Sequence, residues 1–341
     1  MSIETLPVEL LNHIIEAAAP PVTTSDTVEE RYRTLLACSL VSRRWVRVAQ
    51  RLLFAEAAFP TSPAAQAFLA TTADHPHFAN HVRLFKVYEL GRLNDAASFR
   101  SFRSLREVYV GKLGEIDLAV LTGLHQLETL SVWLAKVTCS GDPASAIFPV
   151  LKTLSTCYAY WVDRARQVIS PDHLPALCGL AFYHQYADGQ SRSGINRRVW
   201  RVDLSAFPPS LRLAVSTTAR YTCDRRHKVL HETEVDDLYE ALDAGYFENG
   251  SRPADLEHLR ITQVCDVADG HADGHKQLLV LLKQMPKIKS LFICSKELTS
   301  TDASLRHFAE YVRQRGIRHI ELESDNQHLE GSLILPQWME M

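Results

Sequence analysis

Between residues 82 and 322 the apolar positions recur as a short hexad, apolar-x-x-apolar-x-apolar. It stands at Val82/Phe85/Val87, Leu105/Val108/Val110, Leu127/Leu130/Val132 and Leu177/Leu180/Phe182. It returns at Leu256/Leu259/Ile261, Ile288/Leu291/Ile293 and Ile317/Ile320/Leu322, with Leu151/Leu154 and the run Pro208 to Leu213 as weaker members. The last two apolar positions of each hexad alternate, which points both to one side of a β-strand, while the first sits on the turn leading in. The first intervals are 23 and 22 residues, and later ones stretch. Amphipathic helices are expected between strands. One is Asp302 to Arg315, with Leu305, Phe308, Ala309 and Val312 on one face and Gly316 to end it. Another is Glu232 to Ala244, with Val235, Leu238, Tyr239 and Leu242. A strand followed by a helix, repeated, predicts an α/β solenoid with parallel strands on one side and helices on the other. The alternative is a non-repetitive α/β domain whose strands share the pattern.

In such strands the intervening residues face away from the core, onto an open concave surface. They are Glu107 and Tyr109, Thr129, Ser131 and Trp133, Thr153 and Ser155, Ala181 and Tyr183, His258 and Arg260, Ser290 and Phe292, then His319, Glu321 and Glu323. Tyr109, Trp133, Tyr183, Arg260 and Phe292 are of the types that dominate interface hot spots, and are the candidate target-binding residues. Two other readings stay open. A one-residue slip of register turns these side chains into core, and the tail Leu333 to Met341, with Trp338, folding back would cover part of the surface.

Ahead of the repeats the period changes to that of a helix. Pro7 suits a first helical position and Glu9 the positive end of the helix dipole. Leu10, Leu11, Ile14, Ile15 and Ala18 form an apolar stripe. A second stripe, Trp45, Val48, Ala49 and Leu52, starts just after Ser42, a good cap. Two or three short helices in about fifty residues have little core of their own. Apolar faces left over on so small a unit point to a partner that covers them.

This stretch resembles the F-box, the motif through which substrate receptors attach to the Skp-type adaptor of SCF ubiquitin ligases. The likeness rests on Leu6-Pro7 with Glu9 and Leu10, on Ile14-Ile15, and on Leu40-Val41-Ser42 with Arg44-Trp45. It departs in the insertion Pro20 to Glu30, which a surface loop tolerates. The resemblance implies that Leu6, Pro7, Leu10, Ile14, Leu36, Val41 and Trp45 face the adaptor or support the face that does, with Trp45 an alternative member of the internal core. The remainder is similar to the irregular leucine-rich-repeat receptors that follow the F-box in many fungal proteins, and His75 to Arg83 makes a short bridge into the first strand. Regular repeats carry Asn or Cys three residues after the hexad. Here that position holds Leu113, Ala135, Ala159, Gln185, Val264 and Lys296, with Asp325 as a polar exception. The expected organisation is an F-box-like module at 1–55, a helical linker at 56–81, an irregular repeat domain at 82–332 and a tail at 333–341.

Composition narrows the classes. Apolar content of 46% and charged content of 23% are those of a soluble globular protein, and a net charge of −3 favours neither nucleic acid nor membrane. No apolar run is long enough to span a bilayer. Seven cysteines without a CxxC pair, and no basic-then-apolar leader, point to a reducing compartment, cytoplasm or nucleus. No GxSxG, Walker, GxGxxG or HExxH motif occurs, so neither catalysis nor a cofactor is implied. The cluster Cys265 to His275 offers two His and three carboxylates, but its two glycines and spacing favour a solvated turn over a metal site. Gln185 to Arg201, with Arg192, Arg197, Arg198 and Arg201, reads as a long loop. The resemblance therefore implies the substrate-receptor subunit of a cullin-RING ubiquitin ligase, non-catalytic itself. Its partners would be the Skp-type adaptor, cullin through it, and a target protein. The alternatives are a repeat scaffold for protein–protein interaction without a ligase, and an enzyme whose residues converge from distant repeats.

Overall fold

The computed structural model describes residues 6–20, 25–88, 92–93, 99, 101–111, 114–133, 135–157, 159–183, 202–216, 221–222, 227–233, 256–261, 274–293 and 301–321. The chain divides into two compact units, Met1–Leu177 and Cys178–Met341. Both are α/β with parallel strands.

The first unit opens with α1 (Val8–Ala18), α2 (Ser25–Ser39) and α3 (Arg43–Ala55). Leu11, Ile15, Ala19, Leu35, Cys38, Val48 and Ala49 make their shared core, with Trp45, Leu52 and Leu53 packed against it. Pro7 is the N-cap of α1, and Ser42 caps α3 by accepting the Trp45 N–H. The chain then runs straight into strand β1 (Glu56–Phe59), so the stretch expected to be a helical linker supplies the first strand of the sheet. Helices α4 (Ser62–Asp74) and α5 (Pro76–Ala79) follow.

Strand β1 pairs in parallel with β2 (Leu84–Val87), which pairs with β4 (Glu107–Val110), then β6 (Thr129–Trp133), then β8 (Thr153–Cys157). Hexad positions align across them: Ala57, Phe85, Val108, Leu130 and Leu154 in one row, Phe59, Val87, Val110, Val132 and Thr156 in the next. Each row is buried on the same side. Phe59, Phe68, Phe85, Phe99 and Phe102 interlock behind it, with ring centroids 5.0–6.3 Å apart.

The connections here differ from the expected long helices. A second parallel ladder, β3 (Arg92–Leu93), β5 (Glu115–Asp117), β7 (Lys136–Thr138) and β9 (Tyr160–Trp161), runs beside the first. Single helical turns, α6 (Leu118–Leu121) and α7 (Asp163–Arg166), complete the repeats. This explains the missing Asn or Cys. Ala135 and Ala159 are buried, and backbone bonds hold adjacent repeats together: Lys136 N to Gly114 O (2.7 Å) and Tyr160 N to Ala135 O (2.9 Å). Between the two ladders, Gly111 donates its N–H to Val87 O, and a Cβ there would lie 2.9 Å from Tyr88 O and 3.3 Å from the Trp133 ring. Only glycine lets neighbouring turns approach so closely.

The second unit continues the pattern with parallel strands β10 (Gly179–Tyr183), β12 (Arg212–Ser216), β14 (Lys228–Thr233), β15 (His258–Ile261), β16 (Ser290–Ile293) and β17 (Arg318–Glu321). The short strands β11 (Val202–Asp203) and β13 (Tyr221–Thr222) pair separately. Here helices do cover the sheet: α8 (Gly274–Lys283) through Leu278, Leu281 and Leu282, and α9 (Asp302–Gln314) through Phe308 and Val312. Leu305 and Ala309, expected on the inner face of α9, are exposed. Gly316, at φ 64°, ends α9 in a Schellman motif, with Gly316 N bonded to Arg313 O and Ile317 N to Val312 O.

That turn delivers β17 one residue away from the expected register. His319 aligns with Leu291 and Glu321 with Ile293, and the His319 ring packs edge-on against Phe308. Hence His319 and Glu321 stand on the rows expected for Ile320 and Leu322. Glu232 and Thr233, expected to open a helix to Ala244, belong instead to strand β14. The segments 185–201, 234–244, 262–273 and 322–341 lie outside the described residues, and with them the expected loop, the rest of that helix, most of the Cys265 to His275 cluster, Glu323 and the tail. His275 itself is buried in α8, its ring 5.0 Å from Phe308.

Candidate docking surfaces

Helix α1 buries Leu11 and Ile15, one residue on from Leu10 and Ile14. At 100° per residue that step rotates the second pair out of the core, and both remain exposed. The end of α2 and the turn after it behave likewise: Leu35 and Cys38 are buried, while Leu36 and, beyond the helix, Leu40 turn outward. Val8, Leu10, Ile14, Leu36 and Val41 are between 44% and 58% exposed, and Leu40 reaches 87%. Leu6 is half-buried and Pro7 exposed. The two ends of the patch meet, because Arg44, three residues beyond Val41, donates from Nη2 to the Leu6 carbonyl (2.6 Å). Of the residues expected at an adaptor face, Trp45 alone is turned into the helical core. Val8 and Leu40 join the face without being among the residues that the resemblance assigns to the adaptor; Leu40 belongs to the motif, and the two-residue turn Leu40–Val41 leaves it 87% exposed.

The patch is fixed to the sheet. Arg31 is 3% exposed; its Nη1 donates to Pro20 O (2.9 Å) and Ala19 O (3.4 Å), and its Nη2 pairs with Glu56 on β1 (3.0 Å). Beside it the Tyr32 hydroxyl donates to Ala58 O and accepts from Ala58 N, both at 3.0 Å, which satisfies the backbone of a strand at the sheet's edge. Burial pushes the Tyr32 phenol above its ordinary range, and it raises Glu56 despite the opposing Arg31.

On the sheet face away from the aromatic core, Glu56, Leu84, Glu107, Thr129 and Thr153 form one cross-strand row and Ala58, Lys86, Tyr109, Ser131 and Ser155 the next. Tyr109 is half-buried, donates its hydroxyl to Glu107 Oε2 (3.0 Å) and lies 5.3 Å from the Lys86 ammonium. Lys86 is itself buried, with the Tyr88 ring at 5.0 Å. Burial draws its pKa down to about 8, against the pull of Glu56 and Glu107. Trp133 is half-buried beside Gly111.

In the second unit the expected open face is covered. Arg260 is 2% exposed and Phe292 fully buried, so neither offers contact area. Parallel sheets are commonly covered on both faces, and alternation does not say by what. Tyr183 ends β10, and its side chain lies outside the described residues. Of the five candidates, Tyr109 and Trp133 share one face of the first unit.

His258, beside Arg260, bonds through Nδ1 to Ser290 Oγ (2.6 Å), with Glu257 Oε2 4.0 Å from Nε2. Burial first, then Lys289, Lys228 and Arg212, draw its pKa down to about 4 against the pull of Glu257. The folded state therefore holds a neutral ring while the unfolded chain takes a proton below pH 6.5. Stability from this group is complete above pH 6.5 and falls by about 3 kcal/mol as pH drops to 4. Urea unfolding of His258→Gln across that window is expected to show a flatter profile than the wild type.

A groove of about 400 Å³ is lined by Glu115, Asp117, Thr138, Cys139, Ser140, Val162, Asp163 and Arg164. Asp117 Oδ1 is committed to the Ala119 and Ser140 N–H groups, both at 3.0 Å. Burial and then Asp117 push the Cys139 thiol up, which keeps it protonated and unreactive. Among the described residues no group of His, Cys, Asp or Glu is placed to hold a metal. No described helix is long and apolar enough to cross a membrane. No protein-family model matches the chain, and no curated protein matches it in sequence.

Proposed function

We propose that α1–α3 dock an F-box-binding adaptor of the Skp type, and that the repeat sheet presents a target protein to the cullin-RING ligase so recruited. The observation that supports this is the apolar patch of Val8, Leu10 and Ile14 on α1, Leu36 on α2, and Leu40 and Val41 in the turn into α3, left outside a three-helix core that is already filled. Such a patch is costly in water and gains free energy when a partner covers it. Tyr109 and Trp133 are the residues through which the sheet would hold a target. The chain performs no chemistry in this reading. It raises the effective concentration of a target lysine near the conjugating enzyme, and Arg31 and Tyr32 keep the patch and first strand in one rigid unit.

The test is capture of a recombinant Skp-type adaptor by the full chain and by Leu10→Asp/Leu40→Asp. Both positions are solvent-facing, so the double variant is expected to stay folded by circular dichroism and to lose at least about a hundredfold in affinity, the effect of placing two charges in an apolar contact. Failure of the wild type to bind the adaptor would overturn the reading.

A further inference from the structure

Helix α3 carries charge that folding does not explain. Arg43, Arg47 and Arg51 stand at i, i+4 and i+8, about 6 Å apart along one side, and all three are exposed, as is Arg44 beside them. Residues 43–55 contain no acidic side chain. Among the described residues Arg43, Arg47 and Arg51 make no ion pair. Like charges four apart repel, and cations in a first turn oppose the helix dipole. The stripe therefore works against the helix that carries it. Packing needs none of it, because Trp45, Val48, Ala49, Leu52 and Leu53 form the inner face. The net charge of the chain is −3, so the feature is local.

At its N-terminal end the stripe adjoins the apolar patch. It begins two residues after Val41, and Arg44 holds the chain just before α1 through the Leu6 carbonyl. We propose that Arg43, Arg47 and Arg51 are the charged margin of the docking face, and that its occupant is a protein presenting a row of carboxylates along α3 beside an apolar surface. This rests on the docking reading above. Arginine forks pair carboxylates with two parallel bonds, and an acidic margin fixes the register of an otherwise non-directional apolar contact. A nucleic acid duplex has phosphates but no apolar surface to cover Leu36, Leu40 and Val41.

The experiment compares the full chain with Arg43→Glu/Arg47→Glu/Arg51→Glu, titrating a recombinant Skp-type adaptor at about 50 and about 300 mM NaCl, where screening lengths differ by more than twofold. The expected result is a loss of about tenfold or more at low salt that shrinks at high salt. The unfolding midpoint of the variant should stay close to the wild type, since glutamate for Arg43 gains from the positive end of the dipole, glutamate for Arg51 faces the other end, and like charges four apart repel in both proteins. That separates lost binding from lost folding. Equal affinity and equal salt dependence for both proteins would overturn the inference while leaving adaptor docking intact. Tighter arginine-dependent binding to phosphatidylserine vesicles or a short DNA duplex than to the adaptor would also overturn it. A wild type that binds the adaptor no better than Leu10→Asp/Leu40→Asp removes the docking reading and this inference with it.

Discussion

Arg31→Ala is expected to lower the unfolding free energy by about 3 kcal/mol, toward the lower end of what loss of one partner of a buried ion pair costs, because Glu56 keeps some contact with water. The side chain performs three tasks with one guanidinium. It accounts for the carbonyls of Ala19 and Pro20 where the chain leaves α1, and it neutralises Glu56 at the start of β1. Without it those carbonyls lose their donor, and a carboxylate already raised by burial loses its principal counter-charge. The pH dependence identifies the cause. With Arg31 gone, the folded-state pKa of Glu56 moves further above its unfolded value. Stability is then greatest with the carboxyl protonated and declines as pH rises through the folded pKa. The difference between variant and wild type should therefore shrink as pH falls from 7 toward 4. Denaturant unfolding at several pH values checks this, and a difference that stays constant with pH would sink the ion-pair account. Adding Glu56→Gln should recover part of the loss at pH 7. The consequence for docking is indirect: the apolar patch persists, but its tie to the sheet is loosened.

Much of the architecture was legible because a parallel repeat writes its core in a fixed phase. Phe85, Val108, Leu130 and Leu154 fall in register as the hexads require. Where the core position is polar the signal fades. β14 places His231 in register with Leu259, and no hexad marks that strand. β1 reads Glu-Ala-Ala-Phe at the end of a helix, too small and short to announce itself. In β17 it is His319, not the more apolar Ile320, that pairs with Leu291, because the turn after Gly316 sets the phase and His319 has an aromatic partner. The second ladder was hidden because two- and three-residue strands have no measurable period. For the candidate site, the helical stripes showed which α1 residues could be apolar and not which were spare. Leu10 and Leu11 are equivalent in sequence; only packing buries one and leaves the other at the surface. Likewise Tyr109 and Phe292 hold matching positions in their strands, and only packing leaves the first half-buried and the second fully buried.

Phe85→Ala is expected to cost about 4 kcal/mol, within the range for a buried aromatic cut to alanine, and to be the most damaging single truncation in the first unit. Phe85 is fully buried, sits in the row between Ala57 and Val108, and touches three other rings: Phe59 at 5.7 Å, Phe99 at 5.4 Å and Phe102 at 6.2 Å. Its row neighbour on β1 is only alanine, so the ring fills space that the sheet's first strand leaves open. Phe68 on α4 touches both Phe59 and Phe102, which makes the cluster the means by which α4 is held to the strands. Removing the central ring leaves a cavity that the neighbours, already ring against ring, can close only in part. Phe85→Leu retains most of the volume and should cost clearly less, about 1–2 kcal/mol. Denaturant unfolding of both variants checks the order. If the alanine variant lost under 1 kcal/mol, the cluster would have to be loosely packed. Because docking depends on α1–α3 and the cavity lies behind β2, the alanine variant that remains folded should still capture the adaptor with unchanged affinity. That separates the stability of the repeat from the chemistry of the docking face.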